Sequence, residues 1–437
     1  MPLSAEHSAW RYWPVAALAA ACFGITLWAF YPGVMTYDAK FVYEDMLKGF
    51  RGDWQSPVMT SLWGWIDPIA PGSGSMFLLS AGLYWLGFGL LAVAVARRSF
   101  ALAVVLILLA ASPSVLMFVA IIWRDVLFAS LWLLAAALCF IVADRKPQIR
   151  VPVQAIALGL IALGVLLRPN ALIAAPLVVA YAFWPTGFRR KRAAILAVPV
   201  TLILYGLIQV VYYGVLHAAR QNIVQSIMVF DLGGISHFAQ ANQFPVAWSA
   251  DEDRQLLTTC YKPTEWDIYS RIEPCDFVMR RLEKEQHLFG TPAVSKAWLT
   301  AIVHHPIAYA EHRAAFFWNF IARDNLTLWT FNIEDLPKPV LDGRKSFAAM
   351  EAVDRALKAT PVLRVGSWLL LCMGVCVFAW RRRETPEGAF ALGIAGSGAL
   401  YVLTFLAVGV ASDFRYGYWA AIAGISGAVT LATRRAP

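Results

Sequence analysis

The chain alternates long apolar runs with short polar connections, and two longer polar stretches interrupt the pattern. Wound as helix, a run of about 20 apolar residues matches the roughly 30 Å hydrocarbon core of a bilayer. Ten runs qualify: 13–30, 76–96, 101–120, 126–143, 151–167, 171–185, 193–215, 362–380, 389–410 and 416–433. A lipid-embedded backbone must satisfy its own N–H and C=O groups, so the runs predict helices. The pattern is that of an all-α polytopic membrane protein with about ten transmembrane helices. It divides into an N-terminal bundle over 1–215 with a first external loop at 31–75, an extracytoplasmic segment over 216–361 with interfacial helices, and C-terminal transmembrane helices over 362–437.

Composition supports that class. Of 437 residues, 59% are hydrophobic and 15% charged, which excludes an ordinary soluble domain. A net charge of +9 would suggest nucleic acid in a soluble protein. Here the basic residues sit at every second connection: Arg97-Arg98, Asp144-Arg145-Lys146, Arg189-Arg190-Lys191-Arg192, Arg381-Arg382-Arg383 and Arg434-Arg435. That spacing places these connections and both termini in the cytoplasm and argues against a nucleic-acid partner. The first run continues without a small-residue cleavage site, so it reads as a retained span.

The connections left on the opposite face carry the candidate chemistry. They are the first loop, Trp123-Arg124-Asp125, Arg168-Pro169-Asn170, the 216–361 segment, and Ser412-Asp413-Phe414-Arg415-Tyr416. Each short one holds an arginine at the membrane boundary. One such arginine is ordinarily a snorkelling anchor. Three on the face otherwise poor in basic residues point to an anionic ligand. In the first loop Asp38, flanked by Tyr31, Tyr37, Phe41 and Tyr43, is the carboxylate placed to act as a general base. Glu44, Asp45 and Asp53 compete for that role, and a solvated loop aspartate is the plain alternative.

In the long segment, Gln221 to Gln240 reads as beginning with a helix at the interface, and Val294 to Ile321 as an amphipathic helix. His304-His305 before Pro306 reads as a helix break rather than a metal site, and no phosphate loop, zinc motif or GxSxG elbow occurs. Cys260 and Cys275 can form a disulfide in an oxidising compartment, which spacing alone leaves open. Asn325-Leu326-Thr327 is a formal glycosylation sequon.

Several features, in order, resemble the GT-C superfamily of integral-membrane glycosyltransferases, which includes protein mannosyltransferase-like and aminoarabinose-transferase-like enzymes. They are Tyr31-Pro32-Gly33 with Asp38, Arg124-Asp125-Val126-Leu127-Phe128, Arg168-Pro169-Asn170, Trp298 with His305-Pro306 and Tyr309, and Asp413-Phe414-Arg415-Tyr416. Two departures stand out: the Asp-Glu pair is Asp38-Ala39 here, and the later His-Pro is Gln55-Ser56-Pro57. The resemblance implies a GT-C-like enzyme of the bacterial inner membrane, with its active site on the extracytoplasmic side. It implies a polyprenyl-phosphate sugar donor and a lipid, glycan or protein acceptor. Asp38 would be the catalytic base of an inverting transfer, and Arg124, Arg168 and Arg415 would hold the donor phosphate. Tyr37, Gln55, Asp125, Asn170, Asp413 and Tyr416 would position the substrates. No cofactor is required, and a divalent cation bridging Asp38 and the phosphate stays open. The competing class is a transporter or flippase for a lipid-linked or anionic solute; a membrane scaffold without chemistry is the third.

Overall fold

The computed structural model describes residues 12–323, 345–357 and 360–433. The sequon at Asn325 and the basic pair Arg434-Arg435 lie outside the described residues. The main helices are α1 (Trp13–Phe30), α2 (Tyr37–Leu47), α3 (Pro57–Ile66), α4 (Ser73–Ala96), α5 (Phe100–Ala110), α6 (Pro113–Val119), α7 (Arg124–Val142), α8 (Pro147–Leu167), α9 (Ala175–Phe183) and α10 (Arg190–Gln209). They continue with α11 (Val224–Ala239), α12 (Ala250–Thr258), α13 (Pro292–His304), α14 (Pro306–Ala322), α15 (Lys345–Leu357), α16 (Val365–Trp380), α17 (Pro386–Val408) and α18 (Tyr418–Ala432). Among the described residues there is no strand, only two isolated bridges.

Among the described residues, six helices are long and apolar enough to cross a membrane: α1, α4, α7, α8, α10 with its continuation to Val215, and α17. The pair α5 and α6, bent by 58° at Ala111-Ser112, makes a seventh if taken as one broken span. The chain is thus an all-α membrane protein, with fewer clear crossings than the ten its apolar runs predict. The shortfall has local causes. The run 171–185 splits into a 3-10 turn, Pro169–Ile173, and the nine-residue α9, because Pro169 and Pro176 remove backbone donors. The helices α16 and α18 have 16 and 15 residues, about 22–24 Å of rise against a core of roughly 30 Å.

Two compact units divide the chain, one drawn from Met1–Ala218, Leu326–Val402 and Arg415–Pro437, the other from Ala219–Asn325 and Leu403–Phe414. At the centre of the first lies α7, 89% buried over its spanning window, whereas the window of α10 is only 11% buried. Phe128 and Trp132 of α7 pack on Tyr401 of α17 and Trp419 of α18, joining the three helices through aromatic edges. The outer helix α10 leaves Ile195, Val198, Leu202 and Ile203 exposed, a surface suited to lipid rather than water.

The long polar loop after α1 is mostly helical. Ser56 caps α3, its hydroxyl accepting from the Met59 N–H, and Pro57 supplies the first helical residue. Glu44 on α2 faces Lys40 and Lys48 at 3.7 and 3.6 Å, an arrangement of a solvated helix face.

In the second unit, α11 is largely buried and packs at the centre. Its apolar positions are interrupted by Asp231, which is fully buried and matched on every side. Asp231 Oδ2 accepts from Trp298 Nε1 at 2.7 Å. Its Oδ1 lies 2.6 Å from Arg313 Nη2 and 3.2 Å from His312 Nε2. Tyr261 Oη is 3.0 Å from His312 Nδ1, and Arg313 donates to the Gly409 carbonyl at 2.7 Å. A Cβ on Gly233 or Gly234 would lie 2.0 Å from the Tyr269 hydroxyl or 2.1 Å from the His312 ring, so only glycine fits at either position. Burial lowers the His312 pKa against the opposing pull of Asp231, so the ring is neutral at pH 7. Cys260 and Cys275 are joined as a disulfide within this unit. The predicted helix over 294–321 is broken at His305, where Pro306 starts α14.

Candidate functional site

A backbone junction assembles the site. The Val34 N–H donates to the Ala120 carbonyl at 2.8 Å, and the Ile122 N–H donates to the Val34 carbonyl at 3.0 Å. This short bridge fastens the chain leaving α1 to the chain entering α7. Gly33 makes it feasible: its φ is +89°, and a Cβ there would sit 2.9 Å from Phe77 Cβ and 3.2 Å from the Ala120 carbonyl oxygen. Two residues beyond the bridge on each segment, the connection is reinforced by Trp123 Nε1, which donates to the Thr36 hydroxyl at 2.9 Å. Thr36 immediately precedes α2, so Asp38 falls in the first turn of α2 and Arg124 in the first turn of α7.

The two residues relate differently to their helices. Asp38 lies at a helix N-terminus, where the macrodipole favours a carboxylate. Arg124 lies at a helix N-terminus too, where the dipole disfavours a cation. Arg168 follows the last turn of α8, a favourable end for positive charge, and Arg415 lies on the 3-10 turn Phe414–Gly417 that leads into α18.

Asp38, Gln55, Trp123, Arg124, Asp125, Arg168 and Arg415 line one pocket, with Val42 and Met59 as its apolar wall. Space for a water centre amounts to about 10 Å³, room for roughly one molecule. Asp38 is held from two sides: Gln55 Nε2 donates to its Oδ1 at 3.2 Å, and Arg415 Nη1 pairs with its Oδ2. The Arg415 guanidinium stacks over Trp123 and Tyr416, 4.9 Å from each ring centroid, and its Nη2 donates to the Tyr416 hydroxyl at 3.0 Å. Arg168 lies over the Tyr416 ring, its guanidinium carbon 4.8 Å from the centroid. Its Nε is 2.9 Å from Asp125 Oδ1 and donates to the Tyr401 hydroxyl at 3.3 Å. Both members of the Arg168–Asp125 pair are buried. Among the described residues Arg124 makes no ion pair and donates only to the Trp54 carbonyl, at 3.4 Å.

Three arginines against two aspartates leave the pocket with one positive charge. Desolvation pushes the Asp38 carboxyl up, but Arg415, Arg124 and Arg168 together outweigh it and hold its pKa below the ordinary range. Asp38 is therefore ionised at neutral pH.

Of the residues singled out by sequence, Asp38, Gln55, Arg124, Asp125, Arg168 and Arg415 share this pocket, and Tyr416 braces two of its arginines. Tyr37 and Asn170 are exposed and do not line it. Asp413 belongs to the second unit. Sequence reasoning missed Trp123, the platform under Arg415, and Tyr401, the hydroxyl facing Arg168. A tyrosine inside the apolar run 389–410 was the available signal, since its hydroxyl needs a partner at that depth. It also missed the link from Asp231 to His312 and Arg313, which are about 80 positions apart in the chain.

Among the described residues no group of three or more His, Cys, Asp or Glu side chains has the makings of a metal site. In the pocket both aspartates are already engaged by arginines, and three guanidiniums would repel a dication. That donor set does not suit a divalent ion, so no step is routed through one. No protein-family model matches the chain, and neither a curated protein nor a solved structure matches it.

Proposed function

We propose that the chain is a membrane glycosyltransferase of GT-C type, transferring a sugar from a polyprenyl-phosphate donor to an acceptor hydroxyl. The observation that carries this reading is the gathering, in one small pocket, of two aspartates and three guanidiniums, a set whose net charge is one positive unit. A sugar joined to a polyprenol through a phosphodiester bears one negative charge, which the pocket would neutralise. The donor phosphate would enter between Arg124 and Arg415 and displace Asp38 from its ion pair. Freed, the carboxylate accepts the proton of an acceptor hydroxyl as that oxygen attacks the anomeric carbon. The bond from that carbon to the phosphate oxygen breaks, its electron pair leaves with the lipid phosphate, and the configuration inverts. Charge growing on the leaving phosphate is stabilised by Arg124 and Arg415. Arg168, held by Asp125 and Tyr401, sets the Tyr416 ring on which Arg415 rests.

The same reading takes α16, α18 and the broken segment Pro169–Phe183 as further crossings. The count then reaches ten, with both termini cytoplasmic and the pocket on the extracytoplasmic face of a bacterial inner membrane. Two observations support it. Residues from four connections assigned to one face line one pocket, and the second unit carries a disulfide, which oxidising compartments favour.

The test is a reconstituted assay with a panel of polyprenyl-phosphate sugars and membrane extract as acceptor. Consumption of one donor with release of polyprenyl phosphate is the expected result. Donor crossing the bilayer intact, with no release across the panel, would replace the transferase by a flippase.

A further inference from the structure

A second cavity, of about 560 Å³, runs between α9 and α10 in the first unit. Its lining is almost wholly apolar: small residues Ala193 and Ala197 of α10 form the floor, with Leu177 of α9 and Leu400 of α17 opposite. Thr201 and Leu202 close one end, and Phe188 and Arg190 the other. From Arg190 to Thr201 the helix rises about 16 Å, comparable to an acyl chain. The groove belongs to the least buried spanning helix, whose outer face is exposed aliphatic surface.

The end at Arg190 is a cationic and aromatic cluster. The Arg190 guanidinium lies 5.7 Å from the centroid of Trp380, and Arg383 lies over the same ring at 5.5 Å. Arg192 lies over Trp184 at 5.6 Å. Arg189 and Lys191 add two exposed cations, and the acidic group there, Glu384, is 3.6 Å from Arg383 and itself well exposed. Tryptophan sits at headgroup level in membrane proteins. Stacking a guanidinium on its face leaves the edge N–H groups pointing outward as donors.

We infer that this groove is the seat of one anionic phospholipid, its acyl chain along Ala193, Ala197 and Thr201 and its phosphate at Arg190 and Arg383, which share the Trp380 ring. Two observations select that occupant over other lipids. The groove is apolar and long enough for a chain, and its mouth carries an excess of positive charge. Basic pockets between membrane helices hold acidic headgroups in this way. The inference needs only the membrane reading of the chain and stands whether or not the Asp38 pocket transfers sugars.

The full-length protein, reconstituted in nanodiscs with equal phosphatidylglycerol and phosphatidylethanolamine, is released in the mass spectrometer and its retained lipids are counted. Wild type should retain phosphatidylglycerol over phosphatidylethanolamine by about fivefold or more, the selectivity of one guanidinium near a headgroup. Arg190→Gln should bring that ratio close to one. Ala197→Trp should fill the groove and abolish retention of either lipid. If the tryptophan prevents folding, Arg190→Gln decides alone, because its side chain is exposed. Equal retention of the two lipids by wild type, unchanged selectivity in Arg190→Gln, or a polyprenyl phosphate retained in their place would each overturn the assignment.

Discussion

Replacing Asp38 by Asn separates two effects that the pocket ties together. The carboxylate is the counter-ion of Arg415 and, in the proposed reaction, the base. Asn keeps the shape and the contact with Gln55 but removes the charge, so the pocket goes from one positive charge to two. An incoming phosphate then no longer competes with an internal anion. The Asp38 side chain is 40% exposed and that of Arg415 16%, so the pair is only partly screened from water. Its worth lies near the upper end of the exposed-pair range, about 1 kcal/mol, which converts to about fivefold tighter donor binding. Loss of the base should lower turnover by about 10²–10⁴-fold. Isothermal titration with a short-chain prenyl-phosphate sugar, and radiolabelled transfer under saturating donor, measure the two effects separately. Tighter binding with collapsed turnover is the expected pair of results. Weaker donor binding in Asp38→Asn would mean that Asp38 does not guard the phosphate site, and near-normal turnover would remove it as the base.

Two further outcomes follow from buried charge. Asp125→Ala strands Arg168 in a buried position and should cost about 3–5 kcal/mol of stability; a thermal midpoint equal to wild type would show that Tyr401 and Tyr416 suffice to hold it. His312 is neutral in the folded second unit, packed against Asp231 and Arg313 with Tyr261 and His237 nearby. Its folded pKa is depressed below the ordinary 6.5, so as the pH falls through that value the unfolded state takes up the proton first and stability drops. Protection factors of the α11 amides, the exchange rates taken relative to the intrinsic rate at each pH, should therefore fall at pH 5 relative to pH 7.5 in wild type. The loss of protection should be smaller in His312→Gln, and an equal loss in both would place the titrating group elsewhere.

Much of this molecule is legible from the order of its residues. Apolar runs of membrane length define helices because a backbone in lipid has no other way to satisfy its polar groups. Boundary arginines next to Asp or Asn mark places where charge is held at membrane depth for a reason, and the three connections so marked line one pocket together with the first loop. What the pattern leaves undecided is whether an apolar run stays whole. Pro176 and Pro113 interrupt runs that hydropathy alone scores as continuous. The mixed pattern over Gln221 to Gln240 likewise does not show that α11 packs at the centre of its unit. Partnership across the chain is decided only by folding. Asp38 meets Arg415 across 377 positions, and Arg168 meets Tyr401 across 233. Asp231 reads as an ordinary polar residue until α13 and α14 bring Trp298, His312 and Arg313 around it. Local sequence supplies the charge and the helix; only the tertiary structure supplies the counter-charge, because the partner comes from a distant element whose approach is set by packing.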